Sequence, residues 1–224
     1  MAERSSMECF IRPLRRADRG AVRDICVETA WLGGPGRGHI PDGWIWAEFW
    51  TRYFTDRNRR NSWVLCDSAS GRVAGYLMGT DDVRRFDNYA PFLIPGIVLR
   101  AIRKRLIRRA ETRAAVAAML KSIACGEMSI PQTVVRDYPA TMHIDLLDEA
   151  RGRRYGVELY KLFVEQMQSL GVTGIHAQTL SVNEAITRFC ESAGFTLTGV
   201  KPIGAFKHVE SAPIDILTWT KPLG

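Results

Sequence analysis

His143-Ile144-Asp145-Leu146-Leu147-Asp148-Glu149-Ala150-Arg151-Gly152-Arg153-Arg154-Tyr155-Gly156-Val157 is the stretch on which the reading of this chain turns. Thr141–Leu147 reads as a strand, and Arg153–Leu170 as a helix that can bury Val157, Tyr160, Leu162, Phe163 and Met167, so a strand enters a helix through a turn of arginine and glycine. The first N–H groups of a helix lack intrahelical partners and lie at the positive end of its dipole, which makes the junction a natural place for an anion. Arg151, Arg153 and Arg154 add charge and paired donors suited to phosphate. A cofactor bearing a pyrophosphate fits such a turn.

Downstream, Gly171 and Gly174 bracket the exit from the helix, Gly174–Leu180 is a strand, Asn183–Ala193 a short helix with Gly194 as its C-cap, and Phe195–Val200 and Ile214–Thr220 are strands. Alternating strands and helices predict a mixed α/β sheet with a βαβ unit at its centre. Upstream, Cys9–Leu14 is a strand, and Asp18 is positioned to cap a helix through about Ala30 whose Val22, Ile25, Cys26 and Thr29 fall at helical spacing. Gly33-Gly34-Pro35-Gly36-Arg37-Gly38 is no Walker loop, because no Gly-Lys-Ser/Thr follows, and reads as a flexible connection. Trp46, Phe49, Trp50 and Tyr53 form an aromatic stripe on a helix over Trp44–Phe54, expected to pack into the core. Ser62–Asp67 and Arg72–Thr80 read as a hairpin.

With 224 residues, 46% of them apolar, the chain has enough to bury one sizeable core, and no internal repeat divides it. One domain over residues 1–224 is expected, with a helical insertion at about 81–138. No apolar run approaches the roughly 20 residues of a membrane span and Met1–Arg16 has no signal-peptide core, so the expected location is cytoplasmic. The five cysteines form no C-x-x-C pair and are expected as free thiols, without a metal site.

The net charge is +7, yet Arg100–Arg113 alone holds seven basic residues and one acid, leaving 24 basic against 23 acidic elsewhere. The basicity belongs to one segment of a helical region, about Phe92–Ile123. Leu99, Ile102, Leu106, Ala110, Val116 or Ala117, and Leu120 are expected as its buried stripe, with Arg100, Arg103, Lys104 and Arg108 as an exposed ridge. A solvated helix face is the ordinary reading of such a ridge; it also suits nucleic acid, anionic lipid or an acidic partner, although no interleaved aromatics suggest base stacking.

Two motifs together resemble the GCN5-related N-acetyltransferase (GNAT) superfamily. Arg151-Gly152-Arg153-Arg154-Tyr155-Gly156 stands where the family has Arg/Gln-x-x-Gly-x-Gly/Ala opening a helix. Asn183-Glu184-Ala185-Ile186-Thr187-Arg188-Phe189-Cys190-Glu191-Ser192-Ala193-Gly194-Phe195 is similar to its Asn-x-x-Ala-x-x-Phe-Tyr-x-x-x-Gly-Phe block, at a typical distance. Tyr138–Leu147 is more specifically similar to acetyltransferase-like domains related to those of O-GlcNAcases. The resemblance implies an α/β fold with a central mixed, mostly antiparallel sheet, splayed middle strands and flanking helices.

It also implies acetyl-CoA as co-substrate, with its pyrophosphate on the backbone of Gly152–Val157 and its pantetheine along Leu146 and Leu147. Asn183 would contact the cofactor, and the N–H of Leu146 would polarise the thioester carbonyl. Arg154 replaces the motif's first glycine, where an L-residue is expected to take helical dihedrals. Cys190 replaces the tyrosine that in many relatives protonates the departing thiolate. His143 and Asp145, two apart on a strand, share a face and together suit removal of a proton from an acceptor amine. Asp137, Tyr138 and Glu28 remain alternates, and His176 is expected as a packed or edge residue. The expected activity is acetyl transfer to a small-molecule or peptide amine, with a homodimer left open. An inactive acyl-CoA-binding module and a nucleic-acid or membrane-surface binder using the basic helix are the rivals.

Overall fold

The computed structural model describes residues 7–36, 42–207 and 212–224, so Arg37 and Gly38 of the glycine-rich loop lie outside the described residues. Two antiparallel sheets form the scaffold. One has the order β1 (Cys9–Pro13), β2 (Ser62–Asp67), β3 (Val73–Thr80), β4 (Thr141–Leu146); the other runs β5 (Gly174–Leu180), β7 (Ile214–Pro222), β6 (Thr196–Ile203). Between β4 and β5 the described residues make a single parallel bridge, Ala140 with Ile175. The Ala140 N–H donates to the Gly174 carbonyl at 3.2 Å and the His176 N–H to the Ala140 carbonyl at 2.9 Å, beyond which the two strands part. The expected splay is present, and the mixed character of the sheet reduces to that one bridge.

Side-chain alternation sorts the helices onto two faces. Leu65, Ala74 and Leu77 pack with Leu159, Phe163 and Met167 of α7 (Tyr155–Ser169), whereas Val64, Tyr76 and Met78 pack with Val22, Ile25 and Cys26 of α1 (Arg19–Glu28) and Tyr53 and Phe54 of α2 (Gly43–Asp56). Phe163 is fully buried, a contribution of about 2–3 kcal/mol. It lies so close to β3 that a Cβ on Gly79 would stand 2.2 Å from its ring, so glycine is required there for close approach. α8 (Glu184–Ser192) follows β5 and ends at Gly194, whose φ of +79° provides the expected C-cap.

Three expectations are corrected. Asp18 does not cap α1: its carboxylate instead accepts both Arg12 Nη atoms at 2.7 Å and the Arg15 N–H at 2.7 Å. Burial pushes that carboxyl up, and these hydrogen bonds outweigh it and hold it below the ordinary aspartate value. The region between β3 and β4 is not one helix but α3 (Val83–Tyr89), α4 (Ile94–Arg103), α5 (Ala110–Ala124) and α6 (Gln132–Asp137), interrupted at Arg105, which takes a φ of +55°.

The apolar stripe of these helices faces outward. Leu99, Ile102, Ala110, Val116, Ala117 and Leu120 are exposed, and of the expected set Leu106 is buried. Both α4 and α5 are inverted: α5 buries Thr112 and Ser122, and in α4 Arg100, expected on the ridge, lies 3.7 Å from the Trp44 ring of α2 and turns its own side inward. Among the described residues no helix is long and apolar enough to cross a membrane.

Candidate active site

His143 and Asp145 emerge from β4 on the face covered by α1 and α2, as their two-residue spacing requires, while Met142, Ile144 and Leu146 point into the α7 core. In the β3–β4 register Tyr76 stands opposite Asp145 and Met78 opposite His143. Fully buried Tyr76 donates its hydroxyl to Asp145 Oδ2 at 2.5 Å, and His143 Nε2 lies 3.2 Å from the same oxygen. Burial first, then the Asp145 charge, holds the Tyr76 phenol well above its usual range, so it stays a donor. Cys26 adjoins the same phenol and is pushed up to about 12, chiefly by burial.

The imidazole lies 5.6 Å from the Tyr76 ring and 6.0 Å from Trp50, centroid to centroid. Trp50 stacks on Phe86 of α3 at 6.4 Å with an interplanar angle of 6°, so the aromatic stripe of α2 forms a wall beside the histidine as well as filling core. Nε2 of the imidazole faces Asp145, and Nδ1 is buried without a hydrogen-bond partner among the described residues. The group is a carboxylate anchored by a buried phenol that orients an imidazole, an arrangement suited to general-base chemistry.

The other edge of β4 is as informative. The Leu147 N–H donates to the Ala74 carbonyl at 2.9 Å, which sets the phase of the ladder. In an antiparallel pair alternate residues bond to the partner, so the N–H groups of Met142, Ile144 and Leu146 face the gap toward β5. That edge can receive an extended ligand. It ends where Arg151 Nε donates to the Leu146 carbonyl at 2.9 Å and the chain turns into α7.

No side chain caps α7, and the N–H groups of Val157 and Glu158 turn back on the Arg154 carbonyl at 2.9 and 3.1 Å. Gly152 takes a φ of +76° in this turn. Arg154 takes +65°, so the expectation of helical dihedrals is corrected: this arginine occupies the left-handed conformation that glycine adopts without steric cost. A Cβ on Gly156 would meet Leu146 Cδ1 at 3.5 Å, ordinary contact, so the fold does not itself demand glycine there.

The arginines divide their work. Arg151 also donates to the Gly33 carbonyl, tying the glycine-rich loop to the turn. Arg153 donates to the Met7 carbonyl at 3.2 Å and Tyr155 to the same oxygen at 3.3 Å, holding the chain just before β1. Asn183 uses its side-chain oxygen to cap α8 through the Ile186 N–H at 3.3 Å. Cys190 is buried beside Tyr160, and burial pushes its thiol up to about 12. His176 is buried, with Nδ1 2.5 Å from the Tyr138 carbonyl. Of the alternates, Asp137 pairs with Arg136 and Glu28 is exposed at the end of α1.

Sequence reasoning missed Tyr76 and the Arg151–Gly33 tether. Both depend on partners 69 and 118 positions away in the chain, for which local spacing carries no signal. Among the described residues no cluster of three or more His, Cys, Asp or Glu side chains could hold a metal.

No family model matches the sequence, and no curated protein matches it. Solved structures do match the fold. SsHAT is 27% identical, with a TM-score of 0.70 over 97% of this chain and 99% of that one. A GNAT superfamily phosphinothricin acetyltransferase from Sinorhizobium meliloti, in complex with AcCoA, is 20% identical, with a TM-score of 0.58 over 97% and 90%. A GCN5-related N-acetyltransferase from Kribbella flavida is 16% identical, with a TM-score of 0.58 over 96% and 97%.

Proposed function

We propose that this chain, whose fold is that of the GCN5-related N-acetyltransferases, transfers an acetyl group from acetyl-CoA to an amine. The observation that carries the reading is the open edge of β4. Three N–H groups face a gap between splayed strands, the edge runs into the uncapped N-terminus of α7, and a histidine–aspartate pair stands on the same strand. These features fit a ligand that is amide-like along part of its length and carries a pyrophosphate at one end.

Acetyl-CoA supplies the activated acyl group as a thioester. The backbone of Gly152–Gly156 holds the pyrophosphate, the Val157 N–H being bonded to the Arg154 carbonyl, and the Arg154 side chain adds charge beside it. The β4 edge at Met142, Ile144 and Leu146 aligns the pantetheine, and the Leu146 N–H polarises the thioester carbonyl; Leu147, expected beside it, has its N–H on the Ala74 carbonyl and its own carbonyl on the Ala150 N–H. His143 takes a proton from the acceptor ammonium, directly or through water, and Asp145, held by Tyr76, stabilises the resulting imidazolium. The free amine attacks the thioester carbonyl directly, the C–S bond breaks as the amide forms, and CoA leaves as a thiolate that takes its proton from water, so no covalent enzyme intermediate is needed. Asn183 contributes from the start of α8. Residues 1–224 act as one domain, with the helices between β3 and β4 as its insertion. The acceptor is a small-molecule or peptide amine.

Gly156→Glu tests the cofactor assignment, because a Cβ fits there and the carboxylate adds negative charge beside the pyrophosphate. Calorimetry on the folded variant should read an affinity for CoA at least about tenfold weaker. Unchanged affinity overturns the assignment. A panel of amines with free CoA as readout tests the transfer; tight CoA binding without turnover on any amine leaves a binding module instead of an enzyme.

A further inference from the structure

We propose that α4 docks the protein onto an anionic lipid surface, a property that does not depend on the transferase reading. Phe92, Ile94, Val98, Leu99 and Ile102 are 77, 54, 45, 49 and 57% exposed, and no described element covers them. Ile94, Val98 and Ile102 recur every four residues and therefore form one stripe along the helix. The opposite side of α4 is anchored: Leu93 is buried, and the Arg100 guanidinium stacks on Trp44. The stripe cannot turn inward without breaking that stack, so its exposure follows from how α4 is attached.

Charge decides what covers the stripe. The segment Arg100–Arg113 carries seven of the chain's 31 basic residues and one acid, and Arg103, Lys104, Arg105, Arg108 and Arg109 are exposed at the end of α4 and just beyond it. A second copy placed on this face in twofold fashion would bring two such clusters together, which like-charge repulsion opposes. Nucleic acid would answer the charge but leave the apolar stripe against phosphates. A bilayer of anionic lipid satisfies both: the helix lies in the interface plane, its apolar side enters the acyl boundary, and the basic side chains stay among the headgroup phosphates.

Sedimentation of the full chain with vesicles of phosphatidylcholine and phosphatidylglycerol tests this, at about 50 mM and about 500 mM salt. The expected result is partitioning onto the anionic vesicles at low salt, weakening at high salt, and none onto phosphatidylcholine alone. Val98→Asp/Ile102→Asp, at exposed positions that leave the Arg100–Trp44 stack in place, should lower partitioning by at least about tenfold with an unchanged circular dichroism spectrum. Arg103→Gln/Lys104→Gln should lower it severalfold. Absence of binding to anionic vesicles overturns the proposal, and so does full binding by Val98→Asp/Ile102→Asp. A dimer in sedimentation velocity that the same pair dissolves assigns the face to a second copy. Tight duplex binding indifferent to that pair, without vesicle binding, assigns the basic segment to nucleic acid.

Discussion

Tyr76 and His143 meet on one oxygen: the phenol donates to Asp145 Oδ2 at 2.5 Å and the imidazole Nε2 lies 3.2 Å from the same atom. The strand β3 supplies the phenol and β4 the other two, so the geometry of the base is set by strand register and not by a loop.

Tyr76 is accordingly a positioning residue. His143→Ala should lower turnover by roughly 10²–10⁴-fold with little change in acetyl-CoA affinity. Tyr76→Phe should lower it by about tenfold, and in the His143→Ala background it should cost almost nothing further, because the two act through one carboxylate. Additive losses in the double variant would separate Tyr76 from the base.

Arg154, at a φ of +65°, makes a prediction about stability. Glycine relieves the left-handed strain but adds freedom to the unfolded chain, so Arg154→Gly should stay within about 1 kcal/mol of the parent protein. A β-branched side chain fits that conformation worst, and Arg154→Val should be less stable than Arg154→Gly by about 1–2 kcal/mol in urea unfolding. Equal stability of the two variants would show that the residue is not held left-handed.

Cys190 is buried, and its thiol is pushed up to about 12, which makes it a weak proton donor to a departing thiolate of ordinary pKa. Cys190→Ala should therefore cost less than about tenfold in turnover and about 1 kcal/mol in stability. A hundredfold kinetic loss with CoA affinity intact would place this thiol in the mechanism.

His176 links folding to pH. Burial lowers the proton affinity of its imidazole and outweighs the opposing hydrogen bond to the Tyr138 carbonyl. A folded-state value below the unfolded one, about 6.5, means that the native state binds fewer protons; stability is full above that pH and falls as pH drops through it toward the folded value. The urea midpoint should decrease between about pH 7.5 and about pH 5.5, and His176→Gln, which does not titrate, should flatten that decrease. An identical slope in the variant removes His176 as its source.

Much of the scaffold was legible because it is local. Val22, Ile25 and Cys26 fall at helical spacing and are buried, and Gly194 takes the positive φ that a helix end requires. His143 and Asp145 share a face because alternation along a strand is a property of the backbone. The uncapped turn into α7 could likewise be read from residues within reach of one another.

Tertiary structure decided the rest, wherever a side chain had more than one partner within its reach. Asp18 satisfies the Arg12 guanidinium and the Arg15 N–H in place of a helix end. Arg151 spends its donors on the carbonyls of Leu146 and Gly33, and Arg100 spends its face on Trp44, which rotates α4 and leaves Ile94, Val98 and Ile102 outward. Periodicity states which residues of a helix lie together, but not which side of it the rest of the molecule will cover, because that choice depends on contacts between segments far apart in the chain.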